Sequence, residues 1–270
     1  MSKLALIAGN GKLPLEIRNH CNQSGRRLLI IGLESFANPD DYEHDDFIIA
    51  NIGEVGKILS ALKKNKVEEI VLAGGIKRPS IKELKTDLQG LKFISELALK
   101  SSSDNTILTL IIKKFESNGY KVIGPQDVMP DLLFAEGVYG KIKPSSDDMK
   151  DIQRGIEVAK ALGSVDVGQA VVVQEGIVLA VESIEGTDAV LQRANSLMKK
   201  GKAPILVKIV KPGQEKRIDF PTIGLQTIEQ LKINGIKGIA VEANGILIIE
   251  KERVIKEADN QKIFIVGVRV

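Results

Sequence analysis

Tryptophan is absent from the 270 residues, and aromatic side chains make up only 4% of them. A base-stacking platform for single-stranded nucleic acid needs more. Charge of one sign is lacking too: 38 basic residues face 35 acidic ones, a net +3, so there is no electrostatic footprint for nucleic acid. Cysteine occurs once, at Cys21, which excludes an intramolecular disulfide, fits a reducing compartment and reads as a small core residue. Only two histidines occur, His20 and His44, and they share no ligand spacing, which removes a histidine-built binuclear metal centre. Neither a Gly-x-Ser-x-Gly elbow nor a Walker motif is found. No apolar run approaches the ~20 residues of a membrane-spanning helix. The apolar start at residues 4–8 is cut by Gly9 and Asn10, unlike a signal peptide. These absences predict a cytoplasmic protein whose chemistry rests on carboxylates, a hard metal ion and cationic clamps.

What is present is a globular pattern, with 43% hydrophobic and 27% charged residues. The first half alternates short apolar runs with helical periodicity. Strands are predicted at 4–8, 28–32, 47–50, 69–73 and 120–124, and helices at 14–24, 52–65, 80–99 and 104–118. Pro14 starts the first helix and Gly25 ends it. Strand–turn–helix–strand repetition implies an open parallel sheet, Rossmann-like, over residues 1–130. Met129-Pro130 and Lys143-Pro144-Ser145 are turn and cap signals, so residues 131–145 read as a linker. Residues 146–270 read as a mixed α/β domain that carries the catalytic residues. It should hold a hairpin turning at Glu175-Gly176, further strands at 204–210, 237–242, 245–249 and 263–268, and helices at 147–163, 187–199, 225–234 and 251–260.

Two glycine turns end parallel strands: Gly9-Asn10-Gly11 and Gly74-Gly75. Each is either a structural corner or a phosphate cradle, and two on one sheet edge favour binding. Lys77 and Arg78 beside the second turn would supply cations. The first turn lacks the third glycine of a dinucleotide fingerprint, and no acid sits cleanly at the end of the second strand to hold a ribose. In the second half, Glu185-Gly186-Thr187-Asp188 lies between a strand and a helix. Thr187 or Asp188 is then either a plain N-cap, or Glu185 or Asp188 faces a metal or a water. Gly168-Gln169 is a companion turn. Asp219 lies in Arg217-Ile218-Asp219-Phe220-Pro221-Thr222-Ile223-Gly224, where Pro221 stiffens the backbone after the acid and Thr222 is placed to cap the next helix. A carboxylate held there, near Arg217, Lys208 and Lys211 in sequence, suits magnesium and phosphate. The alternative is a loop acid satisfying backbone amides.

Taken together and in order, these glycine turns, Asp166-Val167-Gly168-Gln169, Glu185-Gly186-Thr187-Asp188 and Asp219-Phe220-Pro221-Thr222-Ile223-Gly224 resemble the LpxI-type UDP-2,3-diacylglucosamine pyrophosphatases over nearly the whole chain. The resemblance implies a Mg2+-dependent hydrolase of lipid A biosynthesis in Gram-negative bacteria. It would cut UDP-2,3-diacylglucosamine into UMP and 2,3-diacylglucosamine 1-phosphate (lipid X), with water attacking the sugar-side phosphorus. It places the catalytic aspartate on Asp219. In the leading reading Asp219 binds the metal, activates water, or both, Glu185 and Asp188 are second-choice metal or water partners, and Asp219 and Asp188 are the expected metal ligands. Asn10, Gly11, Gly74, Gly75, Lys77, Arg78, Lys143, Gly168, Gln169, Glu185, Gly186, Thr187, Lys208 and Arg217 are the expected substrate-binding residues. Asn10 departs from the small residue common at its position. No nucleic-acid partner is expected, and peripheral contact with the inner membrane and a homodimer are both compatible with the sequence. A non-catalytic nucleotide-sugar sensor on the same fold is the competing reading. A nucleotide-dependent ligase would need an ATP cradle that is not visible.

Overall fold

The computed structural model describes residues 2–76, 85–100, 104–218 and 220–270. It divides into two compact units, Met1–Pro130 with Glu215–Asp219, and Asp131–Gln214 with Phe220–Val270.

The first unit runs β1 (Leu4–Ala8), α1 (Leu13–Ser24), β2 (Leu28–Leu33), β3 (Phe47–Ala50), α2 (Val55–Lys64), β4 (Glu69–Ala73), α3 (Leu88–Lys100), α4 (Asp104–Glu116), β5 (Lys121–Ile123) and α5 (Pro125–Val128). Every residue of β1 is buried, as expected of a strand covered on both faces of a parallel sheet. α1 carries Pro14 in its first turn and stops at Gly25, whose φ of 67° is the left-handed cap. Residues 77–84, the start of the expected helix at 80–99, lie outside the described residues. The strands pair in parallel in the order β3-β2-β1-β4-β5. On one face Ile7, Ile31, Ile70 and Leu72 pack with Ile58 and Leu62 of α2 and Ile112 and Phe115 of α4. Each such side chain contributes about 1.5–3 kcal/mol by leaving water. Cys21 is fully buried on α1, and burial pushes its thiol pKa up. The strand order reverses between β1 and β4, which makes their carboxyl ends the topological switch point where open α/β sheets bind ligands.

The second unit contains β6 (Gly137–Tyr139), α6 (Ser146–Ser164), β7 (Ala170–Gln174), β8 (Ile177–Val181), α7 (Thr187–Leu197), β9 (Ile205–Lys208), β10 (Thr222–Ile223), α8 (Leu225–Ile233), β11 (Gly238–Glu242), β12 (Leu247–Ile248), α9 (Lys251–Gln261) and β13 (Phe264–Val268). Its main sheet has the order β6-β13-β11-β9-β7-β8, with β9, β11 and β13 parallel and β6 and β7 antiparallel to their neighbours. Strand periodicity sorts the core cleanly. Val171, Val173, Ile205, Val207, Phe264 and Val266 face Ile152, Ile156 and Ala159 of α6. Ala170, Val172, Leu206, Ile239 and Ile265 pack with buried residues of α7, α8 and α9, among them Leu191, Leu231 and Val254.

Two expectations change here. Residues 131–145 are not a bare linker. Phe134 is fully buried in the core, Tyr139 meets its ring edge-on at 4.8 Å between centroids, and β6 pairs antiparallel with β13. The turn signals that suggested a linker bracket a three-residue edge strand, too short to show alternation. The segment 245–249 does not extend the main sheet either, because β12 pairs with β10 in a separate two-stranded ribbon. The β7–β8 hairpin is as expected. Its turn residues Glu175 and Gly176 have φ of 47° and 79°, the positive pair that a tight hairpin turn requires.

Candidate active site

In the first unit the two glycine turns lie side by side, because β1 and β4 are neighbours. They are zipped together: Asn10 N–H donates to Gly75 O at 2.9 Å and Gly75 N–H to Asn10 O at 2.8 Å. This contact needs glycine. A Cβ on Gly74, where φ is +97°, would lie 2.6 Å from Asn10 O, and one on Gly9 would lie 2.8 Å from Gly75 O. Gly11 and Gly75 differ, since a Cβ there meets nothing within 4 Å. Both are exposed, as is Asn10. Since Asn10 and Gly75 spend their amides on each other, an anion here would be received by the start of α1, whose N-cap Lys12 makes no side-chain cap bond. Lys77 and Arg78 lie outside the described residues. A carboxylate does follow β2. Glu34, directly after Leu33, accepts from Lys85 at 3.0 Å and Asn51 at 3.2 Å, and these two bonds hold its pKa below the ordinary range. The strand expected at 28–32 runs one residue further, to Leu33, which brings Glu34 to its end.

In the second unit the antiparallel register sets Ala170, the first residue of β7, opposite Lys208, the last of β9. Gly168-Gln169 therefore reaches the edge where β8 ends and α7 begins. Four expected residues converge there on one that the sequence reading missed, Glu182. It is only 6% exposed. Its carboxylate accepts the Gln169 N–H at 3.2 Å and the Thr187 hydroxyl at 2.7 Å. Lys208 Nζ donates to Thr187 Oγ1 at 3.3 Å. Gly168 is buried against the same strand end, where a Cβ would fall 2.0 Å from Glu182 O. Residues 177–183 read in the sequence as one strand that encloses Glu182, so no sequence signal marks it.

Thr187 is not the N-cap. Gly186 holds that position with φ 81°, and the Thr187 hydroxyl turns to Glu182 instead. Thr222 likewise lies in β10, while Gly224 caps α8 with the Thr227 hydroxyl on its N–H. Glu185 pairs with Arg193, and its own backbone amide, then Arg193, lower its pKa. Asp188 is exposed in the first turn of α7 and accepts from Gln226 at 3.3 Å. Lys143 is exposed just after β6, at the opposite edge of the sheet from β8. Arg217 belongs to the first unit, where it forks onto Glu215 at 2.8 Å and reaches Glu116 of α4 at 2.7 Å. Its hydrogen bond to Glu215, and then that to Glu116, raise its pKa further. Its charge is thus balanced by two carboxylates. Asp219 lies outside the described residues. Of its sequence neighbours, Ile218 packs on the first unit's core and Phe220 is buried in the second unit.

The LpxI N-terminal domain family matches residues 3–132, and the LpxI C-terminal domain family matches residues 135–266. The chain belongs to the LpxI family. A curated relative, the UDP-2,3-diacylglucosamine pyrophosphatase LpxI of Caulobacter vibrioides, is 39% identical over 277 residues, covering 99% of this chain and 98% of the relative. The two LpxI domains meet close to the division at Pro130. Two solved structures resemble this chain loosely. A UDP-N-acetylglucosamine 4-epimerase from Bacillus cereus matches at TM-score 0.33 and 16% identity, over 99% of this chain and 78% of the epimerase. An N5-carboxyaminoimidazole ribonucleotide synthetase from Thermotoga maritima matches at TM-score 0.23 and 12% identity, over 74% of this chain and 44% of that one. Neither likeness carries weight.

Proposed function

We propose that this chain hydrolyses the pyrophosphate of UDP-2,3-diacylglucosamine, releasing UMP and 2,3-diacylglucosamine 1-phosphate, a step of lipid A biosynthesis. The observation that carries the reading is full-length kinship: both LpxI domains match, and the named pyrophosphatase aligns over 99% of the chain. The geometry is compatible with it. The first unit offers an open glycine edge at a helix N-terminus, suited to an anionic group. The second offers a lysine fixed at a sheet edge beside a helix N-terminus, where charge developing on a transferring phosphoryl group would be neutralised.

Water oxygen bonds to the sugar-side phosphorus, and the bond from that phosphorus to the bridging oxygen breaks. UMP departs with the bridging oxygen, and the water protons pass to a base and to solvent. Asp219 is the assigned base or water-orienting group.

Magnesium is part of the proposal. Among the described residues no three acidic, histidine or cysteine side chains cluster to build a closed cage. Magnesium does not require one, because one or two carboxylates with substrate phosphates suffice. Asp188, exposed in the first turn of α7, is a carboxylate of the kind such a set uses, and Asp219 is assigned to the metal from the sequence alone. The ion would supply charge neutralisation on the phosphate oxygens. Among the described residues no helix is long and apolar enough to cross a membrane. Peripheral contact with the inner membrane is part of the proposal, because the substrate carries acyl chains.

The test is UMP release from UDP-2,3-diacylglucosamine with magnesium, with and without chelator. Asp219→Ala should lose at least ~10²-fold in turnover while remaining folded. In oxygen-18 water the label should enter the sugar phosphate. Label found only in UMP refutes attack at the sugar-side phosphorus, and near-wild-type turnover of Asp219→Ala refutes the assignment of that residue.

A further inference from the structure

Glu182 is a buried carboxylate that the proposed chemistry does not use. Both its main chain and its side chain are fixed. Its N–H donates to Ala170 O at 2.8 Å, and its two carboxylate oxygens accept from different segments, Oε2 from the Gln169 amide and Oε1 from the Thr187 hydroxyl. The chemistry of the three groups sets the direction of the chain of bonds. A carboxylate only accepts and an ammonium only donates. The Thr187 hydroxyl has one proton, which goes to Glu182, so its lone pair is what meets Lys208 Nζ.

We propose that Glu182 is a positioning residue: it fixes the polarity of the Thr187 hydroxyl so that this hydroxyl accepts from Lys208 and holds the ammonium at the carboxyl end of β9. The inference rests on reading this edge as the phosphate site, since that gives a fixed ammonium its use.

Glutamine cannot replace Glu182 in this role. An amide has one accepting end and one donating end. If its oxygen faces the Gln169 N–H, its NH2 faces Thr187, the hydroxyl proton loses its acceptor and its direction is no longer set, and a second donor crowds Lys208 at the hydroxyl oxygen. If it is flipped, two donors meet at Gln169. A purely space-filling Glu182 would tolerate the isosteric amide.

The experiment measures steady-state kinetics with UDP-2,3-diacylglucosamine for Glu182→Gln, Thr187→Val and the double variant. Alongside, substrate-free acetylation of Lys208 by acetic anhydride is followed by peptide mass spectrometry. Each single variant should lower kcat/KM about 10- to 100-fold, the factor expected for one hydrogen bond to a charged group. The double variant should lose little beyond the worse single one, because both break the same relay. Lys208 should be acetylated roughly 3-fold faster or more in Glu182→Gln and in Thr187→Val, whereas Thr187→Ser, which keeps the hydroxyl, should label like wild type. Wild-type kcat/KM in a folded Glu182→Gln, additive losses in the double variant, or unchanged Lys208 labelling each overturns the proposal. If Glu182→Gln does not fold, the contrast between Thr187→Ser and Thr187→Val in Lys208 labelling decides. Should wild type release no UMP, the functional reading fails, and the labelling still decides the role of Glu182.

Discussion

At Gly74 a single methyl group would need space already held by Asn10 O, 2.6 Å away, in a backbone with φ of +97°. Gly74→Ala should therefore cost at least about 1–3 kcal/mol from left-handed strain alone, with more from the collision. Urea denaturation would show it, and a change below half a kilocalorie would mean that the turn relaxes freely. Its neighbour behaves oppositely. A Cβ on Gly75 meets nothing, so Gly75→Ala should leave the denaturation midpoint in place. If the open edge receives substrate, that variant should raise KM. The pair thus separates the structural and binding roles of a motif in which both residues are glycine. Sequence alone could not divide them, because the distinction lies in what a neighbouring strand brings close. The same limit hid Glu182, which the β7–β8 pairing sets against Ala170 and the β7–β9 register sets near Lys208.

Helices and strands were largely legible from apolar periodicity, because burial on both sheet faces forces it. Their ends were less so. The N-terminus of α7 depends on where the Thr187 hydroxyl finds an acceptor, and that acceptor is five residues back, a tertiary competitor to a local cap. Conversely, α6 opens with a local capping box, Ser145 and Asp148 exchanging bonds of 2.8 and 3.2 Å. For the Asp148 carboxyl, burial acts upward on the pKa, but Lys237 and the Ser145 amide and hydroxyl outweigh it, and the net shift is downward. The sign follows directly. The folded state releases this proton more readily than the unfolded one, so the contribution is complete above the ordinary aspartate value of 3.8 and is lost as pH falls through the lower folded value. Asp148→Asn should flatten that part of the acid-unfolding profile. An unchanged acid limb would show that other carboxylates govern it. On the same helix Asp151, 7% exposed, accepts the amides of Glu175 at 2.9 Å and Gly176 at 2.7 Å, pinning the hairpin turn. Asp151→Ala removes two hydrogen bonds to a charged group and should cost about 1.5–3 kcal/mol in all, read from denaturation midpoints.

For the whole molecule, two α/β units were legible from the shift in composition near residue 130, but the chain crosses between them more than once. Glu215–Asp219 joins the first unit although the residues on either side belong to the second. The crossing was invisible in the sequence because its ties are made far away along the chain: Ile218 enters the first unit's core, and Arg217 binds Glu116, 101 residues earlier. Arg217 therefore has two possible uses, a direct grip on phosphate or a tether for the segment that ends in Asp219, and its carboxylate partners favour the tether. With its side chain 34% exposed and that of Glu116 43% exposed, solvent screening limits the ion pair to under about 1 kcal/mol. Stability should hardly change on breaking it. Turnover should. Glu116→Gln and Arg217→Ala should both lower kcat, the double variant should be no worse than Arg217→Ala alone, and raising salt should narrow the gap to wild type by weakening the tie in wild type itself. A direct phosphate clamp predicts the reverse for one variant: Glu116→Gln releases the guanidinium from a competing carboxylate and leaves turnover equal or higher. The kcat of Glu116→Gln, a residue with no expected contact to substrate, therefore separates a tether from a clamp.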